Sequence, residues 1–247
     1  LSSWKLENSS SSSSNTTINS SSSRIIKFFI FSLLCFSSSF SPPSCLASCT
    51  QGCDSMAFYT MGSSDTLFDI TTRFNYDSWS ALQTLNNISN VANITVGTLI
   101  KIPFSCSCDL GTSVLGHNFS YSVQQNDILE TIGTSLYGNL TTSSLIQSAN
   151  PNVDFNNLQI STILLIPINC SCGDPSVSDK YGLFGTYAAQ PSDNLSSMTT
   201  EFNISQDLIQ RYNPSVSFNP LQAYSILFIP SKSKYFPSPY WWSVCVH

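Results

Sequence analysis

An α+β fold of three tandem βααβ modules, packed together and linked by three disulfides through C-x-C pairs, is predicted by three features of this 247-residue chain. Two pairs, Cys106-Ser107-Cys108 and Cys170-Ser171-Cys172, act as punctuation and cut the chain into segments 54–105, 109–169 and 173–231. Those segments repeat: the Ile-Pro that closes each one places Pro103, Pro167 and Pro230 at spacings of 64 and 63 residues. Hydrophobic residues at 41% and aromatics at 12% are enough to build a packed core.

Residues 1–23 contain 12 serines and are read as a disordered segment. Residues 24–47 have the pattern of a signal peptide. Arg24 and Lys27 precede the apolar run Phe28–Phe36, which is too short to span a bilayer, and the small residues around Cys45-Leu46-Ala47 suit cleavage before Ser48. Secretion accounts for the cysteines. Of nine, Cys35 and Cys45 leave with the signal and Cys245 lies in an atypical tail, 232–247. The remaining six, Cys49, Cys53, Cys106, Cys108, Cys170 and Cys172, form three disulfides in an oxidising compartment, with 15 connectivities open. A structural zinc is disfavoured because His117 is the only histidine between the signal and the tail.

After a Cys-containing stretch at 48–57, the modules run over 58–105, 109–169 and 173–231. Each opens with a strand-forming run, at Phe58–Met61, Phe119–Val123 and Phe184–Tyr187. Asp65, Asp127 and Asp193 follow, each two residues before a leucine, and read as helix N-caps, with Glu130 completing a capping box on Asp127. A second helix ends at Leu85-Asn86, Ala149-Asn150-Pro151 and Tyr212-Asn213-Pro214. A β-branched strand then closes each unit, so every module is expected to be a two-stranded antiparallel sheet covered by two helices.

Only 9% of residues are charged, against about 25% in an ordinary soluble domain. With nine Lys and Arg and a net charge of −5, the chain cannot build the cationic surface that nucleic acid requires. Sugar supplies the missing polarity: beyond the signal peptide, N-x-[ST] sequons occur at Asn87, Asn93, Asn118, Asn139, Asn169, Asn194 and Asn203. Asn169 abuts Cys170 and is expected to be shielded by the disulfide knot.

Three such units separated by C-x-C pairs resemble the ectodomain of plant LysM receptor-like kinases, in the chitin elicitor receptor kinase group. The matching stretches are Leu115–Val123, Asn169–Asp174, Gly182-Leu183-Phe184 and Gln210–Pro214. The resemblance covers residues 49–231 and implies disulfides Cys49–Cys108, Cys53–Cys172 and Cys106–Cys170. It also implies an extracellular receptor that binds chitin or related N-acetylglucosamine oligomers in innate immunity, without cofactor or metal, and assembles as a ligand-induced homodimer or with a LysM co-receptor. A low-charge surface rich in amides and hydroxyls suits an uncharged polymer of acetamido sugars.

By the same resemblance, the groove of the second module is formed by the turn and first helix after its first strand and by the loop before its last strand. Here those are Gln125, Asn126, Asp127, Ile128, Leu129, Glu130 and Thr131, and Val153, Asp154, Phe155, Asn156, Asn157 and Leu158. Asp154 departs from the pattern by placing a charge where a small or uncharged residue is expected. Each residue also has a plainer role: Asp127 and Glu130 as caps, Gln125 and Asn126 in a turn, Phe155 in the core, His117 in a structural hydrogen bond.

An enzyme is disfavoured. The acids fall at cap, turn or linker positions, three modules leave no room for a catalytic domain, and there is no G-x-S-x-G, Cys/His pair or H-E-x-x-H. The family continues through a transmembrane helix into a serine/threonine kinase. No window after residue 47 reaches the ~20 apolar residues of a span, so the chain reads as an ectodomain without its anchor. The odd Cys245 and the missing initiator methionine suggest a truncated gene rather than a free secreted protein. Lipochitooligosaccharide or peptidoglycan as ligand, and a non-signalling secreted protein, are the alternatives.

Overall fold

The computed structural model describes residues 52–108 and 114–231. The first repeat runs β1 (Cys53–Thr60), α1 (Leu67–Arg73), α2 (Trp79–Leu85), a 3-10 turn at Val91–Asn93, and β2 (Leu99–Cys108). The second runs β3 (Leu115–Ser122), α3 (Leu129–Thr131), a π turn at Ile132–Leu136, α4 (Ser143–Ala149), a 3-10 turn at Phe155–Asn157, and β4 (Ile163–Asn169). The third runs β5 (Leu183–Ala188), α5 (Leu195–Phe202), α6 (Gln206–Tyr212) and β6 (Ile226–Ser231).

The second helix of each repeat starts for one reason. The hydroxyls of Ser78, Thr142 and Ser205 accept the otherwise unpaired amides of Ala81, Leu145 and Leu208. The first helices correct an expectation: Asp65, Asp127 and Asp193 are not their caps. Thr66 and Asn194 hold the cap position of α1 and α5, and Ile128 holds it for α3 without a side-chain bond. Each aspartate, one residue earlier, instead folds back on its own first strand. It accepts the phenol of Tyr59, Tyr121 or Tyr187 at 2.6–2.7 Å and the amide of Gly62, Gln124 or Gln190 at 2.7 Å. With its aspartate engaged there, the capping box expected of Glu130 does not form. Glu130 is exposed, and the Thr131 hydroxyl accepts the Ile128 amide at 3.4 Å.

The helix-ending asparagines are fasteners. Asn150 Nδ2 donates to the carbonyls of Ile146 and Leu165, both at 2.7 Å, while its Oδ1 accepts the Leu165 amide at 2.9 Å. Asn86 grips Lys101, and Asn213 grips Phe228, in the same three-bond pattern. Each therefore ties a helix C-terminus to the strand that closes the module. Replacing Asn150 with alanine removes all three bonds from a side chain that is 7% exposed and is expected to cost about 1–3 kcal/mol, read as a lower midpoint in thermal unfolding.

Within each repeat the two strands pair antiparallel, as expected. The modules do not keep separate sheets, however, because the strands form one six-stranded sheet in the order β4-β3-β2-β1-β5-β6. β2 meets β3 through Ser107↔Gly116 and Cys108↔Leu115, and β1 meets β5 in parallel from Ser55↔Phe184 to Phe58↔Tyr187. Strand edges left open by two-stranded modules are covered in this way. The parallel seam needs a glycine, since a Cβ on Gly185 would stand 2.1 Å from the Phe58 ring.

Buried on both faces, β1 divides two cores. Ala57 and Tyr59 enter the one shared with the second repeat, and Met56 and Phe58 enter the one shared with the third. Phe74 bridges Phe119 and Tyr137 in the first, each at a ring distance of 5.2 Å, and Phe58 stacks on Phe202 at 5.1 Å in the second. Disulfides Cys53–Cys172 and Cys106–Cys170 are formed as the resemblance implies. Cys108 is also disulfide-bonded, and its expected partner, Cys49, lies outside the described residues, as do the Ser-rich segment, the signal peptide and the tail.

Candidate functional site

The two expected groove segments of the second module leave the fold at a common point. Beyond Ser122, the chain at Val123 donates its amide to the Thr162 carbonyl at 2.9 Å and accepts the Ser161 amide at 2.8 Å. This closure sets the turn that follows β3 against the loop that precedes β4. Leu129 from the first segment and Val153, Phe155 and Leu158 from the second are half-buried on the same core. Phe155 is thus an anchor of its loop.

On the turn side, Gln125 and Asn126 are exposed, and Asn126 adopts the left-handed conformation (φ 69°) that asparagine tolerates. Asp127 is half-buried under the bonds from Tyr121 and Gln124. Burial, and then the Asp127 carboxylate, push the Tyr121 phenol above the usual tyrosine range, so it remains a proton donor to Asp127 at any physiological pH. Ile128, 58% exposed, projects an apolar surface next to the exposed Glu130 and Thr131.

On the loop side, Asp154, Asn156 and Asn157 are exposed. Asp154 is accounted for by its backbone role: Oδ1 accepts the Asn156 amide at 3.0 Å and starts the 3-10 turn, as Asn90 does for Ala92 at 2.9 Å in the first repeat. Asn157 Oδ1 is held by Gln159 Nε2 at 2.7 Å. Sequence reasoning did not include Ile160, 61% exposed beside this loop, or the tyrosine under the turn. Ile160 has no distinguishing pattern, but the tyrosine does: Tyr-x5-Asp occurs in all three modules, at 59/65, 121/127 and 187/193.

The arrangement can offer amides, a hydroxyl and an apolar floor on a rigid turn, with both local aspartates engaged as acceptors. His117 is structural, bonding Ser105 O through Nδ1 at 2.8 Å against the Phe119 ring at 4.4 Å. The sulfurs of Cys53, Cys106 and Cys172 lie within 4.8 Å of one another, but disulfides remove the thiolates a metal would need. Of the sequons, Asn87, Asn93, Asn118, Asn194 and Asn203 are exposed, while Asn139 and Asn169 are half-buried.

Comparison with known proteins decides the family. LysM domain profiles match residues 59–103 and 185–230, and the LYK3/4/5 LysM2 domain profile matches residues 116–169. The crystal structure of the ectodomain of a receptor-like kinase superposes with TM-score 0.67 at 37% identity, over 77% of this chain and 97% of that one. The chain belongs to the LysM receptor-like kinase ectodomains. Its repeats are LysM1, LysM2 and LysM3. Chitin elicitor receptor kinase 1 of Arabidopsis thaliana is 39% identical over 209 residues, which is 81% of this chain and 33% of the relative. The LYK3 ectodomain structure superposes with TM-score 0.65 at 26% identity, over 74% of this chain and 90% of that one. The chain spans about a third of the length of the curated receptor kinases it matches. As a disulfide-bonded receptor ectodomain it is extracellular. Among the described residues, no helix is long and apolar enough to cross a membrane.

Proposed function

We propose that this chain binds N-acetylglucosamine oligomers, chitin first among them, in the LysM2 groove, as the non-catalytic ectodomain of a pattern-recognition receptor in plant innate immunity. The observation that carries the reading is the groove's composition: exposed Gln125, Asn126, Asn156 and Asn157 beside apolar Ile128, on a turn pinned by Tyr121 and Asp127. Acetamido sugars need amide partners and an apolar surface for methyl groups and ring faces, and a pre-set turn lowers the ordering cost of binding. Similarity to chitin elicitor receptor kinase 1 supports chitin over other polymers of the same sugar. Longer oligomers fill more of the groove and bridge two copies or a LysM co-receptor, which favours ligand-induced pairing.

Calorimetric titration of the secreted, glycosylated chain with oligomers of increasing length, beside a peptidoglycan fragment, tests this. Affinity should rise with length and the oligomers should emerge uncut. Ile128→Asp should weaken binding by about tenfold or more, ~1.4 kcal/mol. Asp154→Asn, which keeps the acceptor and removes the charge, should bind at least as well as the parent. Failure of every chitin oligomer to bind would end this reading. Exposed Ile128 and Ile160 also favour a second ligand, an acylated chitooligosaccharide whose chain lies across them, and an acyl-dependent gain in affinity that Ile160→Asp abolishes would mark it.

A further inference from the structure

LysM1 carries an open cleft where its first helix and the loop before its last strand meet, the place that corresponds to the two expected groove segments of LysM2. It is a cavity of about 330 Å³, lined on one side by Asp65, Leu67 and Phe68 and on the other by Trp79, Val91 and Ile94. Its walls are unusually open for apolar groups, with Phe68 66%, Trp79 46% and Val91 44% exposed. The loop wall is the 3-10 turn Val91–Asn93, capped by Asn90 as the equivalent LysM2 turn is capped by Asp154. Two aromatic side chains at an open cleft suit the C–H face of a sugar ring, since such rings offer broad apolar area at small ordering cost.

One difference separates the two loops. Asn93 of LysM1 and Asn157 of LysM2 occupy the same place, the third residue of the turn, but LysM1 continues Asn93-Ile94-Thr95 and LysM2 continues Asn157-Leu158-Gln159. Only the first is a sequon. Asn93 is exposed and stands between Ala92 and Ile94, both of which line the cavity. In LysM3 the loop before the last strand carries Asn219-Pro220-Leu221, which is not a sequon either.

We propose that an N-linked glycan on Asn93 lays its first two sugars in the LysM1 groove, over Trp79 and Phe68, and keeps that groove closed to free oligomer. An N-linked glycan begins with two β-1,4-linked N-acetylglucosamine residues, the same disaccharide unit as chitin. Covalent attachment to the rim gives that unit an effective concentration on the order of millimolar, so even a weak groove is filled from within. The proposal rests on the reading that LysM grooves of this chain accept N-acetylglucosamine. It explains how an exposed aromatic cleft is tolerated on a secreted surface, and it leaves LysM2 as the open groove of the pair.

Thr95→Ala is the test variant. It removes the sequon but leaves Asn93 and every lining side chain in place, and the Thr95 hydroxyl that is lost makes an exposed 3.3 Å contact to that of Thr98. Both chains are produced in glycosylating plant or insect cells. Peptide mass spectrometry should find Asn93 occupied in the parent. Acrylamide quenching of tryptophan fluorescence should rise in Thr95→Ala, and the rise should vanish when Trp79→Phe is added. Calorimetry with a chitin oligomer should show one more site per chain in Thr95→Ala than in the parent. An unmodified Asn93, or unchanged quenching with unchanged stoichiometry, would overturn the proposal. If neither chain binds any oligomer, the LysM2 reading falls, and quenching alone still decides whether the glycan covers Trp79.

Discussion

Serine at both Cys53 and Cys172 is expected to lower stability by about 2–4 kcal/mol. The bond joins positions 119 residues apart, from the first residue of β1 to the linker entering LysM3, and Cys106–Cys170, which stays closed in the variant, shortens the loop that it adds to the unfolded chain. In the chain-entropy picture a longer closed loop removes more freedom from the unfolded ensemble. The folded state needs that help at this place, because the β1–β5 seam is only four residue pairs long and its partners are distant in sequence. Cys106–Cys170, the Phe74 cluster and the β2–β3 pairs remain in the variant to hold LysM1 to LysM2. Guanidinium unfolding should therefore resolve into two transitions, with LysM3 released first and cleaved first by protease. A single transition displaced by less than ~1 kcal/mol would show that the bond only decorates a seam already closed by Phe58 and Phe202.

Much of this was legible in the sequence because it is local. The C-x-C pairs and Ile-Pro endings marked the repeats, and asparagine after a helical patch marked the ends of α2, α4 and α6 at Asn86, Asn150 and Asn213. The bonds those asparagines make to strands 15 residues later were not legible. The aspartates were misread for a physical reason: a carboxylate ahead of a helix usually meets helix amides, but here a strand tyrosine six residues earlier lies closer. The joining of the modules into one sheet depended on non-local pairing. Its only trace in the sequence was the unbroken apolar run Met56-Ala57-Phe58-Tyr59, which fits a strand covered on both faces. In the candidate site, resemblance suggested two segments of LysM2, but not which residues anchor the loops and which face outward. The LysM1 cleft is assembled from Phe68, Trp79 and Val91, and nothing in their spacing marks them as neighbours.

Arg73→Met is expected to cost about 3–5 kcal/mol and to weaken the acid response of the protein. Arg73 and Asp65 form an ion pair with side chains 7% and 9% exposed. Arg73 also donates to the Tyr59 phenol at 3.2 Å and crosses into LysM2 to the Leu136 carbonyl at 2.6 Å, while Tyr137 returns a bond to the Arg73 carbonyl at 2.7 Å. Removing one partner of such a pair leaves the other charged and uncompensated in the interior. In the parent, burial opposes the charge on Asp65, but bonds from Tyr59 and the Gly62 amide, together with the Arg73 guanidinium, hold its carboxyl below the usual carboxylate range. A depressed folded pKa contributes stability that is present above the unfolded value of about 3.9 and is lost as pH falls through the folded value. Without Arg73 the cation's share of that depression is lost while the Tyr59 and Gly62 bonds remain, so the Asp65 pKa moves upward and less stability depends on keeping it ionised. Melting temperature against pH should accordingly fall toward acid below about pH 4 in the parent and fall less steeply in Arg73→Met. Adding Asp65→Asn to Arg73→Met should remove the slope that Asp65 still contributes and recover part of the loss, because no buried charge then remains. Parallel curves for parent and variant would show that the pair contributes packing alone. Because Arg73 ends on Leu136, the last residue of the π turn that follows α3, a stability loss accompanied by weaker oligomer binding would show that the LysM1 ion pair also steadies the candidate site proposed in LysM2.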